Sequence, residues 1–325
     1  MPLVGGRPKR YAGSMTDASP PKNEDSLSGF FYALTAYVFW GFLPLYMKAL
    51  AHVPPAEVIA HRVLWSLPIA LGVIIWLGRT QDLRQAFRTP RTLMMGAATA
   101  TLISVNWGIY VWAIGAGFAL EAALGYYINP LFSVLLGRVL LKERLTGAQW
   151  AAIALAGAAV ILLTIEAGRL PVVALSLTVS WGFYAYLKKS LPIGPNQGFT
   201  LEVMLLAPLA LGYVIWAQVQ GNAHFLQGVG RDDLLLIGSG IVTAIPLMIY
   251  ANGAKRLRLS TIAMMQYIAP TMIFLIAVFV FGEPFGAVRL IAFPMIWAAL
   301  VIYTMSMLHA RRRRGQSSSV TQTGT

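Results

Sequence analysis

The chain has 325 residues, of which 57% are hydrophobic and only 11% are charged. Soluble domains carry about a quarter charged residues, so this composition excludes an ordinary soluble protein and indicates an integral membrane protein. The net charge of +13 would suggest nucleic acid as a partner for a soluble protein. Here it is a topology signal, and we expect no nucleic-acid partner. The absence of cysteine excludes disulfides and thiolate metal sites.

Apolar segments long enough to cross a hydrocarbon core of about 30 Å follow one another along the chain. Residues 1–28 precede them and are predicted to form a disordered cytoplasmic tail, because they are polar and lack a signal-peptide apolar region. Residues 310–325 begin with an arginine cluster and are predicted to form a second disordered, basic tail in the cytoplasm. The ten predicted spans are 29–50, 55–78, 91–114, 119–141, 147–165, 170–190, 198–217, 232–253, 259–281 and 286–309.

Lysine and arginine are concentrated in alternate loops. The two tails and the loops after the second, fourth, sixth and eighth predicted spans hold 20 of the 25 basic residues. The opposite loops hold only Arg169, Arg231 and Arg289. Because cytoplasmic loops carry the excess of basic residues, both termini are predicted to be cytoplasmic.

The two halves of the sequence resemble each other. Trp40-Gly41-Phe42 recurs at Trp181, 141 positions later, and the pattern Tyr-Ile-x-Pro at Tyr127 recurs at Tyr267, 140 positions later. This nearly constant offset predicts a duplicated five-helix unit, residues 29–165 and 170–309. Because each unit has an odd number of spans, we predict an all-α membrane protein of ten transmembrane helices in two inverted repeats. Inverted repeats are typical of secondary transporters, although a channel or a scaffold could share them.

Motifs for nucleotide or metal chemistry are absent from the sequence. It contains neither a phosphate-binding loop of the type GxxxxGK[ST] nor an HExxH metal motif. We therefore expect no cofactor, no direct use of ATP and no enzymatic activity.

One long run identifies a family. The segment FWGFLPLYMKALAHVPPAEVIAHRVLWS (Phe39 to Ser66) resembles the RarD group of the EamA family, in the drug/metabolite transporter superfamily. The runs NWGIYVWAI from Asn106 and GYYINPL from Gly125, and the pair Asn252-Gly253 before a basic loop, fit the same group. The resemblance covers residues 29–309. It implies a ten-helix protein of the bacterial inner membrane that alternates access to a central cavity, and it carries a chloramphenicol-related label without an established substrate.

Three ionisable residues, Glu57, His61 and Arg62, fall within the second predicted span. A charge near the bilayer centre costs at least about 2.5–3.5 kcal/mol, so such residues usually pair or line a polar cavity. Glu57 and His61 share a helix face and could relay a proton. Arg62 or His61 is predicted to contact an anionic or polar substrate. The alternative is that Arg62 pairs with Glu121 to fix helix packing or close an outer gate.

Aromatic residues inside the spans form a second candidate set, because converging tyrosines and tryptophans would suit an aromatic or amphipathic metabolite. Packing is the alternative, and the glycine beside Trp40 and Trp181 also permits close helix approach. The amides of Asn106 and Gln266 either bind substrate or tie helices together. The predicted substrate-binding residues are Tyr37, Trp40, His61, Arg62, Asn106, Tyr110, Trp181, Tyr250, Gln266 and Tyr267. The predicted coupling or gating residues are Glu57, His61, Glu121 and Glu202.

These features predict a secondary transporter that exports a small polar or amphipathic metabolite or drug by alternating access, with protons as the candidate coupling ion. Its expected partners are the lipid bilayer and a small-molecule substrate, and the sequence leaves the oligomeric state open. The alternatives are an intramembrane enzyme or lipid scramblase and a scaffold that transports nothing.

Overall fold

The computed structural model describes residues 26–140, 145–228, 230–254, 256–257 and 265–322. Within these ranges every regular element is a helix, which confirms the predicted all-α class. Of the two predicted tails, residues 1–25 and 323–325 lie outside the described residues. The helices are α1 (Leu27–Ala49), α2 (Pro55–Trp76), α3 (Thr80–Arg88), α4 (Pro90–Gly115), α5 (Ala119–Leu140), α6 (Gly147–Ala167), α7 (Val172–Ser190), α8 (Pro195–Val219), α9 (Gly230–Ala254), α10 (Ile268–Leu275) and α11 (Ala287–Gln322).

Eight of the described helices are long and apolar enough to cross a membrane, namely α1, α2, α4, α5, α6, α8, α9 and α11. The protein is therefore a multi-pass integral membrane protein in contact with the lipid bilayer. Local signals set several helix starts: Pro55, Pro90 and Pro195 each stand at the start of a helix, where the missing N–H has no intrahelical partner to lose. Gly168 follows α6 in the left-handed conformation, with φ 63°.

The structure differs from the predicted elements in three places. A basic loop is predicted after the second span, but the nine-residue helix α3 lies there, because Leu83 and Ala86 are buried against Leu201 of α8. The helix α10 continues as a π-helical turn, Ile276–Val280, within the single predicted span. The helix α11 runs to Gln322, beyond the predicted end of the last span at residue 309, since Ser, Gln and Arg also tolerate helical backbone.

The helices pack in pairs that cross between the two halves of the chain. In the first half, α1 packs against α9 and α10, and α2 packs against α8 and α9. In the second half, α7 packs against α4 and α5, and α8 also contacts α4. The last helices of the two halves, α6 and α11, pack against each other. The centre of the bundle is therefore formed by helices from both halves.

Two glycines at equivalent places in the two halves allow close approaches between helices. A Cβ atom on Gly41 of α1 would lie 2.5 Å from the sulfur of Met272 on α10. A Cβ atom on Gly182 of α7 would lie 2.4 Å from Cδ1 of Phe132 on α5. Both distances are shorter than real Cβ contacts, so each glycine is required by close helix packing.

Glu283, in the connection between the π-helical turn and α11, caps the start of α5. Its carboxylate oxygens accept hydrogen bonds from the backbone N–H of Ala119 at 2.7 Å and of Leu120 at 2.9 Å. These donors belong to the helix end whose N–H groups lack intrahelical partners. Burial raises the pKa of Glu283 above its ordinary value, while the two backbone N–H groups oppose that rise.

We predict that the substitution Gly182→Ala lowers the stability of the folded protein by about 1–3 kcal/mol, because the new methyl group overlaps the Phe132 ring. The measurement is the thermal unfolding midpoint of the purified protein in detergent. The matched control is Gly212→Ala in α8, where a Cβ atom meets nothing within 4 Å. An unchanged midpoint for Gly182→Ala would show that α5 and α7 do not need this close contact.

We also predict a pH-dependent difference between the unmodified protein and Glu283→Gln, whose side chain does not titrate. Because the folded-state pKa of Glu283 is raised, its stabilising contribution is complete below the ordinary glutamate pKa of about 4.3. That contribution is lost as the pH rises through the raised pKa. The unfolding midpoint of Glu283→Gln should therefore rise relative to that of the unmodified protein as the pH increases above about 4.3. The control is exposed Glu166→Gln, and parallel pH profiles for the Glu283 variant and the unmodified protein would contradict the prediction.

Candidate functional site

Arg62 is a cation buried in the bundle, and only 3% of its surface is exposed. Its Nε donates a hydrogen bond to Oγ1 of Thr243 on α9, at 2.9 Å. The guanidinium carbon lies 4.6 Å from the centroid of the Trp107 ring on α4. Nη1 has no hydrogen-bond partner among the described residues. One neutral hydrogen bond and one cation–π contact therefore hold this charge in place.

Glu121, the predicted alternative partner of Arg62, is paired elsewhere. Its Oε1 lies 3.1 Å from Nη2 of Arg169, which follows α6. The same two side chains line a pocket of about 210 Å³ together with Glu283 and Arg289. The predicted pair of Arg62 and Glu121 is therefore wrong, because Glu121 stands in the first turn of α5 beside the connection from α6 to α7.

A polar network lies next to Arg62 and joins α4, α5 and α7. The amide of Asn106 donates to Oγ of Ser180 at 2.9 Å and to the carbonyl of Leu177 at 3.1 Å. Its Oδ1 accepts a bond from the hydroxyl of Tyr126 at 3.5 Å. The Tyr126 ring contacts the rings of Tyr110 and Trp181, with centroids 5.9 and 6.4 Å apart. Four predicted site residues, Arg62, Asn106, Tyr110 and Trp181, thus share one region.

Three other predicted aromatic residues form a separate cluster between α1 and α9. The ring centroids of Tyr37, Trp40 and Tyr250 lie 5.4–5.6 Å from one another. This cluster packs with Met265 and Ala269, in a different hydrophobic group from that of Trp107 and Trp181. The predicted aromatic set is therefore divided into two clusters instead of one.

The last two predicted binding residues, Gln266 and Tyr267, lie directly before α10 and are half-buried. Tyr267 packs against the large hydrophobic core that also contains Tyr110 and Tyr127.

At the end of the bundle that carries the α1–α2 connection, acidic residues of one half meet histidines of the other. Oε1 of Glu57 accepts bonds from the backbone N–H of His224 and Phe225 at 2.7 and 3.1 Å, and its Oε2 lies 3.0 Å from Nδ1 of His224. In the same region Nε2 of His52 lies 2.9 Å from Oδ2 of Asp232. We call this group the α1–α2 latch.

His61 does not share the hydrogen bonds of Glu57. Nε1 of Trp65 donates to its Nδ1 at 3.1 Å, and its ring lies 4.6 Å from that of Phe225. A donor on Trp65 requires an unprotonated Nδ1, so in this arrangement the imidazole proton is on Nε2. That Nε2 has no partner among the described residues. The predicted proton relay from Glu57 to His61 therefore has no direct hydrogen bond here.

At the opposite end, Glu202 of α8 is paired within its own half of the chain. Its Oε1 lies 2.6 Å from Nζ of Lys188, and its Oε2 accepts a bond from the hydroxyl of Tyr184 at 3.3 Å. Nearby, Nε2 of Gln197 donates to Oδ2 of Asp82 on α3 at 2.9 Å. We call the contact of Gln197 with Asp82 the α3–α8 contact.

Sequence reasoning missed the partners that come from distant helices. Thr243 is a small polar residue among the apolar residues of its predicted span and carries no signal, and Ser180 is equally inconspicuous. Trp107 stands beside Asn106 in the run NWG, so its proximity to a candidate was visible, but its contact with Arg62 was not. His224 was visible only as a histidine near a predicted membrane surface.

Comparison with known proteins agrees with this architecture. Residues 27–165 match the EamA-like transporter family. An uncharacterised transporter of Vibrio cholerae is 41% identical, over 90% of this chain and 98% of that protein. Protein RarD of Escherichia coli is 38% identical, over 88% of this chain and 96% of that protein. A solved crystal structure that is 21% identical has a similar fold, with a TM-score of 0.58 over 86% of this chain and 98% of that chain. The resemblance seen in the sequence is thus confirmed, and the chain belongs to the RarD group of the EamA transporter family.

Proposed function

We propose that the protein is a secondary transporter of the bacterial inner membrane that moves a small polar or amphipathic metabolite or drug by alternating access. Export is the proposed direction, and both termini are proposed to be cytoplasmic. The observation that carries the proposal is a pair of matching contacts between the two halves. Glu57, at the start of α2, contacts the connection between α8 and α9. Gln197, at the start of α8, contacts α3, which lies in the connection between α2 and α4. Each half thereby closes one end of the bundle with the same part of its chain.

Further contacts repeat with the offset found in the sequence. Gly41 approaches Met272, and Gly182 approaches Phe132. Gly182 lies 141 positions after Gly41, and Met272 lies 140 positions after Phe132, so the two contacts correspond. The interface of α1 with α9 likewise corresponds to that of α7 with α4. These correspondences support two inverted five-helix repeats, with α7 and α10 completing a proposed count of ten spans.

Alternating access requires that the contacts at the two ends break in turn. At one end the α1–α2 latch joins the halves, and at the other the α3–α8 contact does so. The Arg62 region lies between helices of both halves, which is where transporters of inverted repeats bind their substrates. The chloramphenicol-related label of the group supports a drug-sized amphipathic substrate for this region.

Proton coupling is proposed to act through the α1–α2 latch. Protonation of Glu57 would remove its charge from the pair with His224, and this would weaken a contact that joins the two halves. His61, with its unpartnered Nε2 nearby on the same helix face, is the second proposed coupling residue. Glu202, paired with Lys188 near the opposite end, is the third. Glu121 is the proposed gating residue, and its pair with Arg169 is the contact through which it would act.

We predict that a reagent reaches the Arg62 region from one side of the membrane at a time. The chain contains no cysteine, so Ser180→Cys, a nearly isosteric change beside Asn106, provides a single reactive thiol. Its labelling by an impermeant maleimide is measured in right-side-out and in inverted vesicles. Cysteines introduced at His52 and Asp232 and joined by a bifunctional maleimide should abolish labelling from the side of the α1–α2 latch. Labelling from the opposite side should be preserved.

The matched test at the opposite end joins cysteines at Asp82 and Gln197, the two residues of the α3–α8 contact, whose side chains are 2.9 Å apart. This cross-link should give the reverse labelling pattern. If the protein is a scaffold, the maleimide should label the thiol from neither side. If it is a channel, the maleimide should label the thiol from both sides at once. A scramblase predicts lipid exchange in proteoliposomes, measured in parallel. Labelling that neither cross-link changes would overturn alternating access.

A further inference from the structure

We propose that Arg62 binds an anionic group of the transported molecule, and hence that the substrate is an organic anion with an apolar or aromatic body. This rests on the proposed transport function and specifies the chemical class of its substrate. The Arg62 guanidinium is a charge without a counter-charge. Arg62 forms no ion pair with any described residue, although it is almost completely buried.

The three buried carboxylates of the described chain all have other partners. Glu57 is paired with His224, Glu202 with Lys188 and Asp232 with His52. Glu121, which is partly buried, is paired with Arg169. An uncompensated cation inside a membrane protein is costly to keep, and a substrate anion is the compensation that remains.

The unused hydrogen-bonding groups at this site suit a carboxylate. Nη1 of Arg62 and the hydroxyl of Tyr110 both lack partners among the described residues. Tyr110 stands one helical turn after Trp107 on α4, and the Trp107 ring lies 4.6 Å from the guanidinium carbon. The Trp107 ring and Thr243 fix the position of Arg62, and stacking on a ring leaves the N–H groups in the guanidinium plane free. A carboxylate or a similar oxyanion can accept bonds from such a planar donor edge and from the phenol.

The surroundings of these donors favour an apolar body on the ligand. The neighbouring rings are those of Trp107, Tyr110, Tyr126 and Trp181. A small inorganic anion would leave these faces unused, whereas an aromatic carboxylate would cover them while its charge meets Arg62.

The first test needs no ligand. In Arg62→Met the uncompensated charge is replaced by an apolar side chain of comparable length. If Arg62 is present for a ligand, its removal should raise the unfolding midpoint of the purified protein or leave it unchanged. A clear fall in the midpoint would show that Arg62 is a structural anchor and would overturn the inference. The charge-matched control is Arg88→Gln, a change of an exposed arginine in α3, which should leave the midpoint unchanged.

The second test uses three probes at millimolar concentration, namely phenylacetate, its neutral isostere phenylacetamide, and acetate. We expect phenylacetate to raise the unfolding midpoint with a dissociation constant at least about tenfold lower than that of either other probe, because charge-assisted hydrogen bonds are lost without the anion. In Arg62→Gln the preference for phenylacetate over phenylacetamide should disappear, whereas Arg88→Gln should retain it. Equal binding of the two aromatic probes, or no effect of phenylacetate, would overturn the inference.

These outcomes are distinct from failure of the transport proposal. Alternating labelling of Ser180→Cys together with a negative result for phenylacetate would retain the transporter and discard the anionic substrate. Anion binding without alternating labelling would retain the site and discard transport.

Discussion

The cost of placing charge in an apolar medium constrains every part of this protein. Backbone groups meet the constraint by forming helices, in which their hydrogen bonds are internal to the segment. Side chains meet it by pairing, as Glu57 does with His224, Glu202 with Lys188 and Glu121 with Arg169. Arg62 is the exception in the described chain, because it has a hydroxyl and a ring for neighbours but no carboxylate. That exception is the basis of the proposed anion site.

The same constraint explains where the paired charges lie. Glu57, His52 and Asp232 are grouped near one end of the bundle, close to connections that can reach water. Glu202 and Lys188 lie towards the opposite end, beside Gln197 and its partner on α3. Ion pairs near water can be broken and reformed at moderate cost, whereas the apolar contacts buried between the helices cannot. Polar contacts between the halves are thus available for opening, and apolar contacts keep the helices assembled.

Much of the fold follows from short-range features of the sequence. The length and apolar composition of the segments indicated helices near their observed positions, since a membrane leaves the backbone few alternatives. Helix α3 was missed because its polar and basic residues are also typical of a loop. It belongs to the bundle only because Leu83 and Ala86 are buried against α8. Close packing at the glycines beside Trp40 and Trp181 was one of two alternatives, and their partners, Met272 and Phe132, come from other helices and could not be named.

The sequence by itself determined the membrane class, most of the helical segments and the family, because each depends on composition, periodicity or a motif within one stretch of chain. It also singled out Arg62, since an arginine in an apolar span is conspicuous wherever it points. Only the tertiary structure decided that Glu121 faces Arg169, that Glu57 meets the loop at His224, and that the predicted aromatic residues divide into two clusters. Those outcomes depend on which helices are neighbours and how they are rotated. Both are set by packing between segments that are far apart in the chain, as in the contact of His52 with Asp232, 180 residues apart.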